Sequence, residues 1–443
     1  MIKTIIFLVS FSLINLVYAE VSYQQPIKIT QGSSQAYQGN WASTSAQTPA
    51  VDIQTTDPVT LSNCNIKGPG LLIKTVPGAH LTLKNCVISG TNPQLENYSR
   101  PRVLDGTFNY LVVEHNRFDH TAGMSIWNMQ RGKADSVPSS SNATIQVRYN
   151  IVNNLDGRLE NGGVSDSYIP SAPGKSRVHD DHFHVNFVSV VGFLSDPNIE
   201  IAWNQIINQP GQSAMEDVIL IMSSSGASTQ QPILIHDNYI QGVYGGAPTT
   251  TFHYGGSGIN SGDYLARLKD PQYVSSFVHT FNNQIVGSQA WGLVLPAGHD
   301  ITIENNRVVR SGLLPSMTAM PYSTSGLMMV DLYKLEPKSS TPVNYNNKIV
   351  NNVIAYVTAK KTRFDYEFYG APGKPNLQCV GKVRSRVDKC CQVEQTTVRT
   401  GANITCAPNE NYKFNSLITL TDEQAEWTRW QQKLATNKIS MGP

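Results

Sequence analysis

The chain has 443 residues, with 34 lysine and arginine side chains against 32 aspartate and glutamate, so its formal net charge is +2. Only 15% of the residues are charged and no block of basic residues is present, which argues against nucleic acid as a partner. Hydrophobic residues make up 40%, too many for a disordered chain. Beyond residue 19 no apolar run is long enough for a membrane span, so we expect a globular protein.

The N-terminus has the pattern of an export signal, with Lys3 as its positive end. An apolar stretch follows over 4–16, and Val17-Tyr18-Ala19 is typical of a cleavage site. A membrane anchor is the alternative, although the stretch is shorter than the ~20 residues that a span requires. The sequence therefore predicts a signal peptide over 1–19, an N-terminal extension over 20–50, and a secreted or periplasmic protein.

A six-residue pattern, apolar at both ends and centred on asparagine or cysteine, recurs through most of the chain. Its copies begin at Leu61, Leu83, Val113, Val147, Ile201, Ile235, Thr280, Ile303 and Tyr345. Because apolar positions alternate with a period of two and valine and isoleucine are frequent, the pattern predicts strands. A unit this short cannot bury its apolar face alone, so the copies must stack. The sequence thus predicts an all-β fold, a right-handed parallel β-helix over residues 51–360.

The central asparagine of each copy is expected to stack on its equivalents in neighbouring coils, where side-chain amides can bond to each other. It is also expected to adopt the left-handed backbone geometry that asparagine tolerates at turns. Cys64 and Cys86 occupy the same position in the first two copies. We therefore expect them to be neighbours, either as two buried thiols or as a disulfide.

A second strand follows many copies, and the sequence predicts these strands at 124–127, 182–190, 218–222, 291–295 and 327–330. Long inserts rich in glycine, serine, proline and tyrosine precede several of them, at 155–177, 241–258 and 309–326. Because the inserts leave the same corner of successive coils, we expect them to wall a groove beside the second strands.

The groove is predicted to hold the chemistry, because acidic and histidine residues cluster where the second strand follows the longest insert. These candidate catalytic residues are His179, Asp180, Asp181, His182 and His184. Glu216 and Asp217 open the corresponding strand on the next coil. By this register Asp181 and Asp217 would lie side by side, and carboxyl groups so close favour a raised pKa at one of them, as acid–base catalysis requires.

Two other roles stay open for this cluster. Its members could be solvated turn residues or a hydrogen-bonded polar ladder. They could also bind a metal ion, since mixed histidine and carboxylate ligands suit zinc or a transition metal. The acids alone would suit Ca²⁺ or another divalent cation: Asp180, Asp181, Glu216 and Asp217.

Residues 361–443 form a predicted C-terminal cap. Its four cysteines are expected to form two disulfides, with a zinc site as the alternative: Cys379, Cys390, Cys391 and Cys406. A capping box that starts at Thr421 predicts a helix ending near Asn437. We expect this cap to cover the open end of the solenoid, because exposed sheet edges invite aggregation.

The repeat and the Asp180-Asp181 pair resemble the pectate-lyase-like superfamily of secreted right-handed β-helix proteins, over about residues 51–360. That superfamily includes polysaccharide lyases, polygalacturonase-type glycoside hydrolases and alginate epimerases. In the hydrolases an Asp-Asp pair supplies the acid and the base, which the resemblance implies for Asp180 and Asp181, although no Gly-His-Gly or Arg-Ile-Lys companion is present. The epimerases carry Asp-Pro-His-Asp where this chain has Val178-His179-Asp180-Asp181.

The lyases of this superfamily use a lysine or arginine as the base, with a cation or an arginine neutralising a uronate. The resemblance implies this work for the nearest cations of this chain: Lys175, Arg177, Arg267 and Lys269. Aromatic residues, whose faces commonly pack against sugar rings, are numerous around the middle coils: Tyr168, Trp203, Tyr239, Tyr244, Tyr254, Tyr264, Tyr273 and Trp291.

The sequence therefore predicts a carbohydrate-active enzyme that cleaves or modifies a polysaccharide in the groove, as a lyase, a glycoside hydrolase or an epimerase. The predicted substrate contacts are Lys175, Arg177, Arg267, Tyr244, Tyr254 and Trp291. The alternative is a non-catalytic glycan-binding or adhesin-type β-helix, which would need no group of shifted pKa. A monomer is expected in either case.

Overall fold

The structure is a computed structural model. It describes residues 21–92, 101–129, 136–157, 185–245, 256–320, 322–330, 332–333, 335, 343–369, 405–406, 409–413 and 416–443. Within these ranges nearly all regular structure is β-strand, arranged in three long sheets that we call sheets 1, 2 and 3.

Sheet 1 has nine strands: Pro58–Ser62, Ala79–Lys84, Phe108–Glu114, Thr144–Arg148, Ile199–Ala202, Ile233–His236, Val278–Phe281, Thr302–Glu304 and Lys348–Val350. Sheet 2 has eleven: Asn40–Ala42, Asn65–Gly68, Val87–Gly90, Arg117–Asp119, Ile151–Asn153, Gln205–Ile207, Tyr239–Val243, Gln284–Ser288, Arg307–Arg310, Val353–Tyr356 and Glu410–Asn411. Sheet 3 has eight: Leu104–Gly106, Gly123–Trp127, Asn186–Val191, Asp217–Met222, Ser257–Asp263, Leu293–Leu295, Leu327–Val330 and Tyr366–Tyr369.

Shorter elements complete the regular structure. A small sheet joins Ile27–Ile29, Val51–Ile53 and Ile73–Thr75, and a second joins Ser275–Ser276 and Gly298–His299. Two 3-10 turns occupy Ala266–Leu268 and Pro271–Tyr273, and one α-helix, α1, spans Leu420–Asn437.

From Ala79–Lys84 to Val353–Tyr356 most coils give one strand to each long sheet, as in the coil that contributes Ile199–Ala202, Gln205–Ile207 and Asp217–Met222. Neighbouring coils pair in parallel in all three sheets. This arrangement confirms the predicted all-β, parallel β-helix fold.

The core runs inside the coils as columns of stacked side chains. One column on sheet 1 follows the first residue of the repeat, and its members are fully buried: Leu61, Leu83, Val113, Val147, Ile201, Ile235, Thr280 and Ile303. Burying one such aliphatic side chain stabilises the fold by roughly 1.5–3 kcal/mol. The period of two along each strand therefore determines which face of each coil points inward.

The central asparagines form the predicted ladder inside the turn between sheets 1 and 2. Side-chain amides donate to the next side-chain oxygen at 2.9–3.1 Å through the consecutive members Asn116, Asn150, Asn204, Asn238, Asn283, Asn306, Asn352 and Asn409. The left-handed backbone geometry, however, falls on the residue before each ladder asparagine from Asn116 to Asn352, for example Tyr149 and Trp203, both with φ above +50°. The expectation that the ladder asparagine itself is left-handed was therefore wrong, because its amide must point inward while the preceding residue makes the turn.

Cys64 and Cys86 are neighbours at this ladder position, as predicted, and they form a disulfide with Cα atoms 4.5 Å apart. Cys406 is also disulfide-bonded. The other three C-terminal cysteines, Cys379, Cys390 and Cys391, lie outside the described residues, so the pairing there stays a prediction.

The sheets extend beyond the predicted bounds of 51–360. Asn40–Ala42 precedes them in sheet 2, while Tyr366–Tyr369 and Glu410–Asn411 extend sheets 3 and 2 at the other end. Strand pairing uses backbone groups alone, so these coils form without the six-residue pattern. The copy assigned to Tyr345 was misplaced: Ile349 pairs with Ile303, so Asn352, not Asn347, bonds to Asn306.

Helix α1 begins two residues before the predicted position. Thr419 is its N-cap, with a hydroxyl that accepts from the Asp422 amide while the Asp422 carboxylate accepts from the Thr419 amide. The helix lies against the outer face of sheet 2 rather than across the end of the solenoid. Trp430 is fully buried there, stacked on Tyr239 with ring centres 5.7 Å apart. The aromatic and apolar side chains on the outer face of sheet 2, Trp203, Tyr239 and Val286, explain this position, because α1 removes them from water.

The predicted signal peptide, 1–19, lies outside the described part of the chain. No helix within the described part has the length and apolar character needed to cross a bilayer.

Candidate active site on sheet 3

Most of the predicted catalytic cluster falls outside the residues that the structure describes. This holds for Lys175, Arg177, His179, Asp180, Asp181, His182 and His184, and also for Tyr254. Glu216 and Asp217 are described, and they open the strand Asp217–Met222 as predicted. The roles of the other residues stay predictions.

The register between neighbouring coils differs from the predicted one. The preceding strand of sheet 3 is Asn186–Val191, and Val188 pairs with Ile219. The Asn186 amide accordingly donates to the backbone carbonyl of Asp217 at 2.9 Å. The argument that placed Asp181 in register with Asp217 was therefore wrong, because the strand begins at Asn186 and its pairing makes Asn186 the equivalent of Asp217.

Asp217 instead shares a hydrogen-bond network with Asp263, at the end of the next strand, Ser257–Asp263. Asn260 joins the two carboxyl groups: its amide nitrogen lies 3.3 Å from Asp217 Oδ2 and 2.9 Å from Asp263 Oδ2. All three residues are buried, with Asp217 1% and Asp263 3% exposed. Sheet 3 thus holds two carboxyl groups bridged by one amide.

Two tyrosines complete the network around Asp263. The Tyr333 hydroxyl donates to Asp263 Oδ1 at 2.5 Å, and the Tyr264 backbone amide donates to the same oxygen at 2.7 Å. The two tyrosine rings meet edge to face with centres 5.6 Å apart. Asp263 therefore accepts three hydrogen bonds within the described residues.

The two carboxyl groups differ in their surroundings. Burial, with the nearby charges of Glu216 and Asp263, raises the pKa of Asp217 well above its ordinary value, and the side chains of Asn260 and Ser257 offset only part of this rise. Burial also raises the pKa of Asp263, to about 6, because its donors from Tyr333, Tyr264 and Asn260 offset only part of the desolvation. Asp217 Oδ1 is buried without a hydrogen-bond partner in the described part of the chain. At neutral pH the arrangement favours a protonated Asp217 beside an ionised Asp263.

Sequence reasoning missed Asn260, Asp263 and Tyr333. The strand Ser257–Asp263 was not predicted at all, because its letters, SGINSGD, lack the apolar alternation of the other strands. All seven residues are nevertheless buried. A polar and glycine-rich segment at the spacing of a second strand was the available signal.

The aromatic residues proposed as sugar contacts are mostly covered. Tyr244 and Trp291 are 8% and 6% exposed, and Trp291 packs with Val294 and Met328 on the outer side of sheet 3. Tyr239 is fully buried under α1. Arg267 lies in the turn Ala266–Leu268. Substrate roles for these residues stay predictions.

An open groove lies along sheet 3 on the N-terminal side of the carboxyl pair. Its volume is about 930 Å³, and Asp105, Phe108 and Trp127 are among its lining residues. Trp127 stands in the same row of the sheet as Asp263, through the partners Val191 and Met222. Since stacked strands are roughly 4.8 Å apart, three coils place Trp127 on the order of 14 Å from Asp263 along the sheet. An extended polymer can span that distance.

The predicted divalent cation finds no donor set in the described ranges, where no group of three or more histidine, cysteine, aspartate or glutamate residues could hold a metal ion. Half of the proposed calcium ligands, Asp180 and Asp181, lie outside these ranges.

No protein-family model matches the chain, and no curated protein matches it. One solved structure that aligns with it is described as a mannuronic acid specific polysaccharide family 6 lyase from human gut microbiota. The alignment covers 95% of this chain and 91% of that chain at 10% identity, with a TM-score of 0.26. A TM-score this low supports no conclusion about activity.

Proposed function

We propose that the protein is a carbohydrate-active enzyme that cleaves a polysaccharide in the groove along sheet 3, with Asp217 as the acid and Asp263 as the carboxylate partner. The observation that carries the proposal is the pair of buried carboxyl groups bridged by Asn260. Two titratable groups whose surroundings push their pKa values apart are the usual basis for assigning an acid and a base.

The spacing of the two groups favours glycoside hydrolysis. The two distances from the Asn260 nitrogen limit the separation between the nearest oxygens of Asp217 and Asp263 to at most roughly 6 Å, which admits the ~5–5.5 Å typical of retaining glycosidases and is below the ~6.5–9.5 Å of inverting ones. In that reaction Asp217 protonates the glycosidic oxygen, and the Asp263 carboxylate attacks the sugar carbon. Water then releases the sugar as Asp217 accepts a proton from it.

Elimination is less well supported by the described residues. A lyase must neutralise a uronate carboxylate, whereas the neighbours that act on Asp217 and Asp263 in the described ranges are acids, amides, tyrosines and a serine. Lys175 and Arg177 remain the predicted cations for that alternative.

The site of action is proposed to be outside the cytoplasm. The support is the Cys64–Cys86 disulfide, since stable disulfides are typical of exported proteins, together with the predicted signal peptide. A polysaccharide is a substrate of the kind found there.

The test is to incubate the mature chain, residues 20–443, with a panel of neutral and anionic polysaccharides. New reducing ends without an unsaturated product would support hydrolysis, whereas absorbance from an unsaturated product would indicate a lyase. On the polymer that reacts, Asp217→Asn and Asp263→Asn should each lower turnover at least about a hundredfold. Asp119→Asn, the same change on sheet 2, is the matched control and should keep the parental rate.

The second candidate function is a non-catalytic glycan-binding β-helix. The near-complete burial of Asp217 and Asp263 favours it, because a reacting sugar must reach both groups. Retention on an immobilised polysaccharide without any product from the panel would support this function and overturn the enzymatic proposal. Retained turnover in both asparagine variants would instead refute the site.

A further inference from the structure

Tyr333 is where the carboxyl network approaches the protein surface. Asp217, Asn260 and Asp263 are buried, whereas Tyr333 is partly exposed and bonded to Asp263. We propose that Tyr333 is a positioning residue, whose hydroxyl orients the Asp263 carboxylate for the reaction. This inference rests on the proposed function, because it assigns a task within that site.

The hydrogen bonds of Asp263 hold its carboxylate group in one orientation. Oδ1 accepts from the Tyr333 hydroxyl at 2.5 Å and from the Tyr264 amide at 2.7 Å, which leaves Oδ2 turned to Asn260 at 2.9 Å. An O–H to carboxylate bond of this length is in the range of strong, charge-assisted hydrogen bonds. Donors on both oxygens set the rotation of the carboxylate and hold Oδ2 on the side of Asp217.

Tyr333 acts as a donor rather than as a base. Burial and the negative charge of Asp263 raise the pKa of the Tyr333 phenol above its ordinary value, so the hydroxyl keeps its proton at neutral pH. Its effect on the reaction is therefore exerted through Asp263, by stabilising the ionised carboxylate.

The groups around Asp263 set the direction of the expected change. Glu216, just before the adjacent strand, and Asp217, its first residue, are the acidic neighbours, and Tyr264 and Tyr333 are the other titratable neighbours. Because burial and the charge of Glu216 disfavour an ionised Asp263, removing a donor leaves both effects less opposed. The Asp263 titration should then move to higher pH.

The chain provides a matched control. The Tyr264 hydroxyl makes no hydrogen bond to the Asp263 carboxylate, although its ring touches that of Tyr333. Tyr264→Phe removes a phenolic hydroxyl from the neighbouring ring, just as Tyr333→Phe does from its own. It leaves every donor to Asp263 in place, since Tyr264 bonds Asp263 through its backbone.

The deciding experiment is a carboxyl NMR titration of the mature chain labelled with ¹³C-aspartate, with the Asp263 signal assigned by its loss in Asp263→Asn. Tyr333→Phe should raise the titration midpoint of Asp263 by about one pH unit, and Tyr264→Phe should leave it unchanged. Far-UV circular dichroism checks that both variants are folded. An unchanged midpoint in Tyr333→Phe, or equal shifts in the two variants, would overturn the inference.

A second arm uses the polymer identified by the panel. Tyr333→Phe should lower kcat while KM changes little. It should also move the acidic limb of the pH–rate profile to higher pH, by about as much as it raises the Asp263 titration midpoint measured by NMR. A lower kcat with an unmoved limb would refute positioning through Asp263. If no polymer is turned over, the proposed function fails, while the titration still decides whether Tyr333 controls Asp263.

Discussion

Replacing Asp263 by asparagine should stabilise the protein at neutral pH even as it removes a group assigned to catalysis. The pKa of Asp263 is raised from 3.8 to about 6, chiefly by burial. Since each pKa unit corresponds to about 1.4 kcal/mol, the ionised carboxylate costs the folded state roughly 3 kcal/mol. Asparagine keeps an oxygen to accept from the Tyr333 hydroxyl and the Tyr264 amide but carries no charge.

The sign of the pH dependence follows from the raised pKa. Below the unfolded pKa, near 3.9, both states hold the proton and the group costs nothing. As the pH rises from about 3.9 to about 6, the unfolded state releases its proton while the folded state still binds it, so stability is lost up to the folded pKa and is constant above it. The parent should therefore lose about 3 kcal/mol between pH 4 and pH 7.5 from this group, whereas Asp263→Asn should not.

The measurement is the free energy of unfolding in urea at about pH 4 and about pH 7.5, followed by circular dichroism. Comparing the pH-induced change in the variant with that in the parent cancels any pH-independent cost of the substitution, such as two amide nitrogens meeting at Asn260. Asp57→Asn, at an exposed turn, is the control and should show the parental pH dependence. A difference between Asp263→Asn and the parent below about 1 kcal/mol would refute a buried charge at this position.

Two further predictions concern the scaffold. Asn204→Ala should lower the free energy of unfolding by about 3–5 kcal/mol, because it leaves the backbone and side-chain amides of Asn150 without their buried acceptor. A loss under about 1 kcal/mol in urea unfolding would contradict a stabilising role of the asparagine ladder. Trp430→Ala should release α1 from sheet 2, because it removes the stack on Tyr239 and the hydrogen bond to Gln205. Amide hydrogen exchange should then rise in 420–437 and not in the sheets, and unchanged exchange in the helix would contradict this docking.

The sequence was sufficient for the architecture because the signals for it are local and repeated. An inward residue every second position and one central asparagine per coil leave a single way to bury both, which is to stack the coils. The same repetition predicted that Cys64 and Cys86 would be neighbours. The sequence did not decide between two free thiols and a disulfide, and the structure shows a disulfide.

Only the tertiary structure could determine the candidate site. Tyr333 is 70 positions from Asp263, and Asn260 is 43 from Asp217, so no local pattern relates them. Their meeting depends on the register between coils, which unequal inserts shift by several residues, as the equivalence of Asn186 rather than Asp181 to Asp217 shows. The repeat encodes which face of a strand is buried, whereas the length of chain between strands decides which polar residues share that face.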